Sequence, residues 1–240
     1  MKNKGLNTLI KKGFKKLKID LSKEQLFQLN KYIEFLISEN KKYNLTSITE
    51  PKEIVKLHFL DSAGIFLKAD IKGKVIDIGT GAGFPGFIFK IINPDLDLTL
   101  VEANLKKVNF LKLLQIELNL YENIEVFHKR AEDLAHDKNY RHKYDFVTSR
   151  AVAPLNILLE YTVPFCKDEG KILLYKGPSY KEELDNSKKA LDILNVKLIN
   201  IYELDIPFLK GDRFVLEFKS TDIIGHKYPR KAGIPKKRPL

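Results

Sequence analysis

Val75-Ile76-Asp77-Ile78-Gly79-Thr80-Gly81-Ala82-Gly83-Phe84-Pro85-Gly86 decides how the rest of the chain reads. A mostly apolar run leads into glycines at alternate positions, and the pattern after Pro85 is helical, so the glycines occupy a turn from a strand into a helix. There Gly79, Gly81 and Gly83 allow positive φ and keep β-carbons out of a ligand's way. Any ligand at this turn meets a helix N-terminus. Gly81, Gly83 and Gly86 also satisfy G-x-G-x-x-G, so a dinucleotide and an S-adenosylmethionine-type cofactor are both admitted.

Downstream of Gly73, short β-rich runs alternate with helical patterns, as in a parallel α/β sheet. Strands are predicted at 74–78, 97–102, 123–127, 144–149, 170–176, 196–202 and 213–219, with helices near 85–93, 104–119, 154–166 and 180–194. This is a seven-stranded doubly wound sheet. No long helix separates the last two strands, which predicts an antiparallel hairpin at the edge. Upstream, Ser22 with Gln25 three residues on is a capping box for a helix carrying Leu26, Leu29, Ile33 and Leu36, and Pro51 opens another. The expected organisation is a basic arm and helical lobe over 1–70, a cofactor-binding domain over 71–220 and a basic tail over 221–240. The tail, rich in proline and charge, is expected not to pack.

Of the net charge of +11, seven lysines fall in residues 1–18 and six Lys or Arg in residues 226–240, with no acid in either stretch. Two basic ends on a near-neutral body point to a polyanion, RNA above all. Leu6, Ile10, Phe14 and Leu17 recur at helical spacing among the first lysines, a pattern that also suits a membrane surface. No apolar run is long enough to span a bilayer, no secretion signal is evident, and the single Cys166 fits a reducing compartment. A cytoplasmic monomer without stable membrane association is expected. Cys166 follows an apolar run and is read as a buried small hydrophobe, not a nucleophile. No histidine spacing forms a metal site; His58 and Asp61, at i and i+3, read as a local hydrogen bond.

Glu102 ends the second strand, where a carboxylate accepts ribose hydroxyls. Asp77, two residues before Gly79, is placed to face a methionine amino group or to cap the turn, and Ala131-Glu132 to line an adenine or to begin a solvated helix. Together these acids favour S-adenosylmethionine over a nicotinamide dinucleotide.

Beyond the turn, the chain resembles the RsmG (GidB) family of bacterial small-subunit ribosomal RNA guanine-N7 methyltransferases along nearly its whole length. The resemblance rests on Tyr43-Asn44-Leu45-Thr46-Ser47, His58-Phe59-Leu60-Asp61-Ser62, Gly83-Phe84-Pro85-Gly86, Arg130-Ala131-Glu132, Thr148-Ser149-Arg150-Ala151-Val152-Ala153, Leu174-Tyr175-Lys176-Gly177 and Lys227-Tyr228-Pro229-Arg230-Lys231-Ala232-Gly233. It implies a Rossmann-like class I methyltransferase fold using S-adenosylmethionine. Gly79 and Phe84 would contact the cofactor, Glu102-Ala103-Asn104 its ribose, Ala131-Glu132 its adenine end, and Arg150 would complete the site. Where the chain has Glu102, many members carry aspartate, and Tyr175 replaces a smaller residue. The implied partner is small-subunit (16S) ribosomal RNA or a ribosomal particle.

Guanine N7 has a free lone pair, so its methylation needs positioning and no general base. Ser149-Arg150-Ala151-Val152 stands where exocyclic-amine methyltransferases carry Asp/Asn-Pro-Pro-aromatic, which disfavours that class. Arg150 is read as positioning either guanine or the methionine carboxylate; Lys176, Arg213, Arg230 and Lys231 are read as RNA contacts. Removing residues 226–240 is then expected to weaken RNA binding and spare the cofactor. A nicotinamide-dependent oxidoreductase and a non-catalytic RNA-binding module on the same fold are the alternatives.

Overall fold

The computed structural model describes residues 3–222 and 224–240; Lys2, counted in the basic start, lies outside them. Seven strands form one mixed sheet in the order β3-β2-β1-β4-β5-β7-β6. They are β1 (Lys74–Ile78), β2 (Asp97–Glu102), β3 (Ile124–His128), β4 (Tyr144–Arg150), β5 (Cys166–Lys176), β6 (Val196–Glu203) and β7 (Phe214–Ser220). The first five pair in parallel, and β7 runs antiparallel to both β5 and β6, which is the expected edge hairpin. Strand order reverses between β1 and β4. In such sheets the crevice at the carboxyl ends of these two strands is where ligands bind.

Helices cover both faces. Before the sheet come α1 (Asn3–Lys16), α2 (Lys23–Tyr43), α3 (Pro51–Ile54), a π-helix (Val55–Leu60), α4 (Asp61–Ala63) and a 3-10 turn (Gly64–Leu67). Within or after it lie α5 (Gly86–Ile92), α6 (Leu105–Glu117), α7 (Ala131–Leu134), α8 (Leu155–Thr162), α9 (Tyr180–Asp185), α10 (Lys188–Ile193) and α11 (Ile234–Lys237). The Ser22 capping box forms as predicted, with Ser22 Oγ accepting from Gln25 N and Gln25 Oε1 from Ser22 N. Two predicted helices are shorter than their patterns. The first ends as an α-helix at Thr162 and tightens into a 3-10 turn (Val163–Phe165) before β5 begins at Cys166. The other breaks at Ser187, whose hydroxyl donates to Glu183 O.

The N-terminal helices share one apolar core with a sheet face, where Ile10, Phe14, Leu29 and Leu36 join Val75, Leu98 and Phe110. Burying each large side chain contributes roughly 1.5–3 kcal/mol. The apolar stripe of α1 is therefore spent on the protein itself, with Ile10, Phe14 and Leu17 all buried. That removes the face a membrane-resting helix needs. Among the described residues no helix is long and apolar enough to cross a membrane. Cys166 is buried, as expected, and burial pushes its thiol up to about 12.

Contrary to the sequence expectation, the tail packs. Tyr228 joins the second core. The buried guanidinium of Arg141 donates to the carbonyls of Ala135, Ile224, Gly225 and Tyr228 at 2.9–3.2 Å. Arg230, expected to reach RNA, instead gives its backbone N–H, Nε and Nη2 to the fully buried Glu160 at 2.7–3.2 Å. Proline and charge do not preclude packing when long-range partners satisfy them.

Candidate active site

Two cavities open at the switch point and share Ala151 and Val152, the residues that follow β4. The smaller, about 340 Å³, is lined by Gly79, Glu102, Ala103, Ala131, Glu132 and Tyr161 among others. The larger, about 790 Å³, is lined by His58, Asp61, Arg150, Tyr175, Lys176, Glu183 and Arg213 among others. Val152 stands at the threshold: a β-carbon on Gly79 would lie 2.5 Å from its Cγ2.

In the smaller cavity, Glu102 is nearly buried and fixed by two backbone donors, Gly81 N at 3.0 Å and Asn104 N at 2.8 Å. Asn104 caps α6 with its side chain. Gly79, Gly81 and Gly83 all have positive φ, as the turn requires. Glu132 accepts from Gly233 N at 3.1 Å, so the tail braces this cavity too.

Asp77 caps the turn through Oδ2, which accepts from Thr80 Oγ1 at 2.6 Å and Gly86 N at 2.9 Å. Its Oδ1 is buried with no hydrogen bond. Burial raises the carboxyl to about 6, against the lowering effect of those two bonds and of Arg150. Asp77 itself lines neither cavity, but its orphaned oxygen is buried behind the glycine turn, and in the smaller cavity Glu102 and Glu132 stand with Lys107, Lys129 and Arg130. These carboxylates offer acceptors for the hydroxyls and amino groups of an adenosyl ligand. The residues fit S-adenosylmethionine.

The larger cavity contains what the sequence reading missed. Arg150 Nη1 donates to Asp61 Oδ2 at 2.6 Å and to Leu57 O at 3.1 Å, while Nη2 lies 3.1 Å from His58 Nδ1. His58 Nε2 in turn lies 3.1 Å from Thr46 Oγ1. Burial, then the charge of Arg150, lowers His58 to about 3, so the ring is neutral. Because the arginine can only donate, Nδ1 accepts and the proton sits on Nε2, facing Thr46. His58 and Asp61 therefore face Arg150 and not each other; the only sequence signal was that both belong to quoted family blocks.

Phe84, expected at the cofactor, is buried in a stack between Tyr32 (5.0 Å between centroids) and His58 (4.5 Å), with the Arg150 guanidinium 5.4 Å from its ring centroid. Its ring holds the glycine turn against the N-terminal helices and lines neither cavity. Lys176 is likewise committed, donating to Ala153 O at 3.0 Å and Glu183 Oε2 at 2.7 Å with its side chain nearly buried, which takes it away from RNA phosphates. Arg213 lines the cavity with Nε 3.4 Å from Asp61 Oδ1, and Lys231 is exposed. Tyr175, the departure from a smaller residue, donates to Ser62 O at 2.7 Å and so ties β5 to α4.

The family model described as rRNA small subunit methyltransferase G, GidB, matches residues 25–209. The chain belongs to the GidB family. A protein of Desulforamulus reducens named ribosomal RNA small subunit methyltransferase G is 42% identical over 237 residues, covering 98% of each chain. One of the same name from Lactococcus lactis is 44% identical over 226 residues, covering 92% of this chain and 94% of its own. Among solved structures, M. jannaschii TYW2 in complex with AdoMet aligns with a TM-score of 0.51 at 18% identity, over 67% of this chain and 74% of its own. That likeness concerns the fold. Membership in GidB sets aside the nicotinamide alternative.

At Gly79, φ is +68° and a β-carbon would meet Val152, so Gly79→Ala is strained in backbone and side chain alike. Calorimetric affinity for S-adenosylhomocysteine should fall by about tenfold or more, equivalent to the ~1–3 kcal/mol of such strain.

Proposed function

We propose that the protein transfers a methyl group from S-adenosylmethionine to ring nitrogen 7 of a guanine in small-subunit (16S) ribosomal RNA. The observation that carries this is the pair of cavities meeting at Ala151 and Val152, one lined by Gly79, Glu102 and Glu132, the other by Arg150 and Arg213 together with Asp61, Glu182 and Glu183. When bound, the cofactor supplies an electrophilic methyl group. Glu102 would hold its ribose, Ala131 and Glu132 its adenine end, and Asp77 its amino group. In the second cavity Arg150 and Arg213 would position the guanine and its phosphate.

No proton has to move, since the N7 lone pair forms the new bond as the carbon–sulfur bond breaks. The site matches this economy. Both nitrogens of His58 are engaged, by Thr46 and Arg150, so it does not serve as a base. The reaction would take place in the cytoplasm, on RNA or a ribosomal particle, with the protein acting as a monomer.

The test incubates the protein and S-adenosylmethionine with small-subunit particles and with naked 16S RNA, then maps N7-methylguanine by borohydride and aniline cleavage. Cleavage at one guanine is expected. Cofactor binding without methyl incorporation into either substrate would mark a non-catalytic RNA-binding module instead.

Asp77 supplies a pH test. Its carboxyl releases its proton at about 6 in the fold and at 3.8 ordinarily, so its contribution to stability is present below 3.8 and is lost as pH rises to about 6. Binding an ammonium favours the ionised form. The affinity for S-adenosylhomocysteine should accordingly drop as pH is lowered through about 6, and in Asp77→Asn it should be weaker and flat over that window.

A further inference from the structure

We propose that the cleft between α1 and the loop joining β6 to β7 is a second RNA-binding surface, taking the sugar-phosphate backbone on lysines and one unpaired base on Phe208. This rests on the reading of the protein as an RNA methyltransferase.

Lys11, Lys12, Lys15, Lys16, Ile19 and Phe208 are among the residues lining this cleft, whose volume is about 760 Å³. The lysines cannot turn away, because the opposite stripe of α1 is locked in the core and Gly13 is so close to Leu60 that a β-carbon would lie 2.6 Å from it. Lys15 pairs with Asp20 at 2.9 Å, whereas Lys11, Lys12 and Lys16 have no carboxylate partner among the described residues. Lysines at i and i+4 repel one another, so nothing in helix stability asks for Lys12 above Lys16. An outside anion satisfies both.

Phe208 indicates which anion. It is 44% exposed, and its φ of +65° is one that bulky residues rarely adopt. The Lys16 ammonium lies 5.1 Å from its ring centroid. An exposed ring flanked by cations is the arrangement that stacks a base while holding its phosphates. A lipid surface would ask for the apolar face of α1, which is buried.

Two elements link the cleft to the site. Helix α1 packs on the π-helix that carries His58, and the β6–β7 loop ends at Arg213, which lines the larger cavity.

The experiment measures anisotropy of a labelled 16S RNA fragment with the full chain across a salt series. Lys11→Gln, Lys12→Gln and Lys16→Gln together should lower the slope of log affinity against log salt by about 2–3, as three lost phosphate contacts require. Phe208→Ala should weaken binding about tenfold and leave the slope unchanged, as lost stacking requires. Both proteins should keep the wild-type melting midpoint and S-adenosylhomocysteine affinity, since every changed side chain faces solvent. An unchanged slope in the lysine variant overturns the proposal, as does RNA binding indifferent to Phe208. So does loss of binding to phosphatidylglycerol vesicles with RNA affinity intact. Failure of the wild-type protein to methylate any RNA would strike the reaction alone, because the salt slopes report binding without chemistry.

Discussion

Replacing Arg150 with methionine is expected to abolish methyl transfer and to cost about 3–5 kcal/mol of stability. The guanidinium is the hub of the larger cavity, bound to Asp61, Leu57 O and His58 and set over Phe84. Its side chain is 14% exposed and that of Asp61 8%, so the substitution strands a nearly buried carboxylate. Arg213, at 3.4 Å from the other oxygen, compensates only in part. Adding Asp61→Asn should return much of the stability, because the stranded charge is then gone, and none of the activity. Denaturant melts and single-turnover methyl transfer on the two single variants and the double separate the effects. If Arg150→Met retained wild-type turnover, Arg150 would have no part in positioning the guanine.

Arg230→Ala should lose a similar amount, about 3–5 kcal/mol, which for a chain of this size lowers the melting midpoint by about 10 °C. Glu160 is fully buried, and Arg230 supplies one backbone and two side-chain donors to it. RNA affinity, measured where the variant is still folded, should hardly change. Replacing both partners by apolar residues of similar volume should recover most of the loss. Deleting residues 226–240 goes further, since it also removes the donor from Gly233 to Glu132, and should weaken cofactor binding. This reverses the expectation from sequence that tail removal spares the cofactor. A truncated protein with wild-type cofactor affinity would restore the view of the tail as a solvated RNA arm.

The contrast shows where the sequence was readable. Strands and caps are local: the mostly apolar run Val75–Ile78 leading into glycines and the Ser22–Gln25 box each identify themselves within a few residues, and both form where predicted. The edge hairpin followed from the missing helix between the last two strands. Side-chain commitments were not readable in this way. Arg230 and Lys176 look like RNA contacts until Glu160 and Glu183 are brought to them by folding. His58 and Asp61 look like each other's partners because they are close in sequence, yet both are turned to an arginine about ninety residues away. Phe84 was tied to the right loop by its motif, but that its ring stacks on the N-terminal helices depends on a contact with Tyr32 that no local pattern encodes.

Arg141 holds the tail through three of its main-chain carbonyls, those of Ile224, Gly225 and Tyr228, and through none of its side chains. A carbonyl is the same whichever residue bears it, so this grip is blind to the identity of the residues it fastens. Over 224–229, substitutions should accumulate freely at exposed positions, whereas Arg141 itself admits no replacement with the same fork of donors. Drift and fixity thus fall on opposite sides of one set of hydrogen bonds.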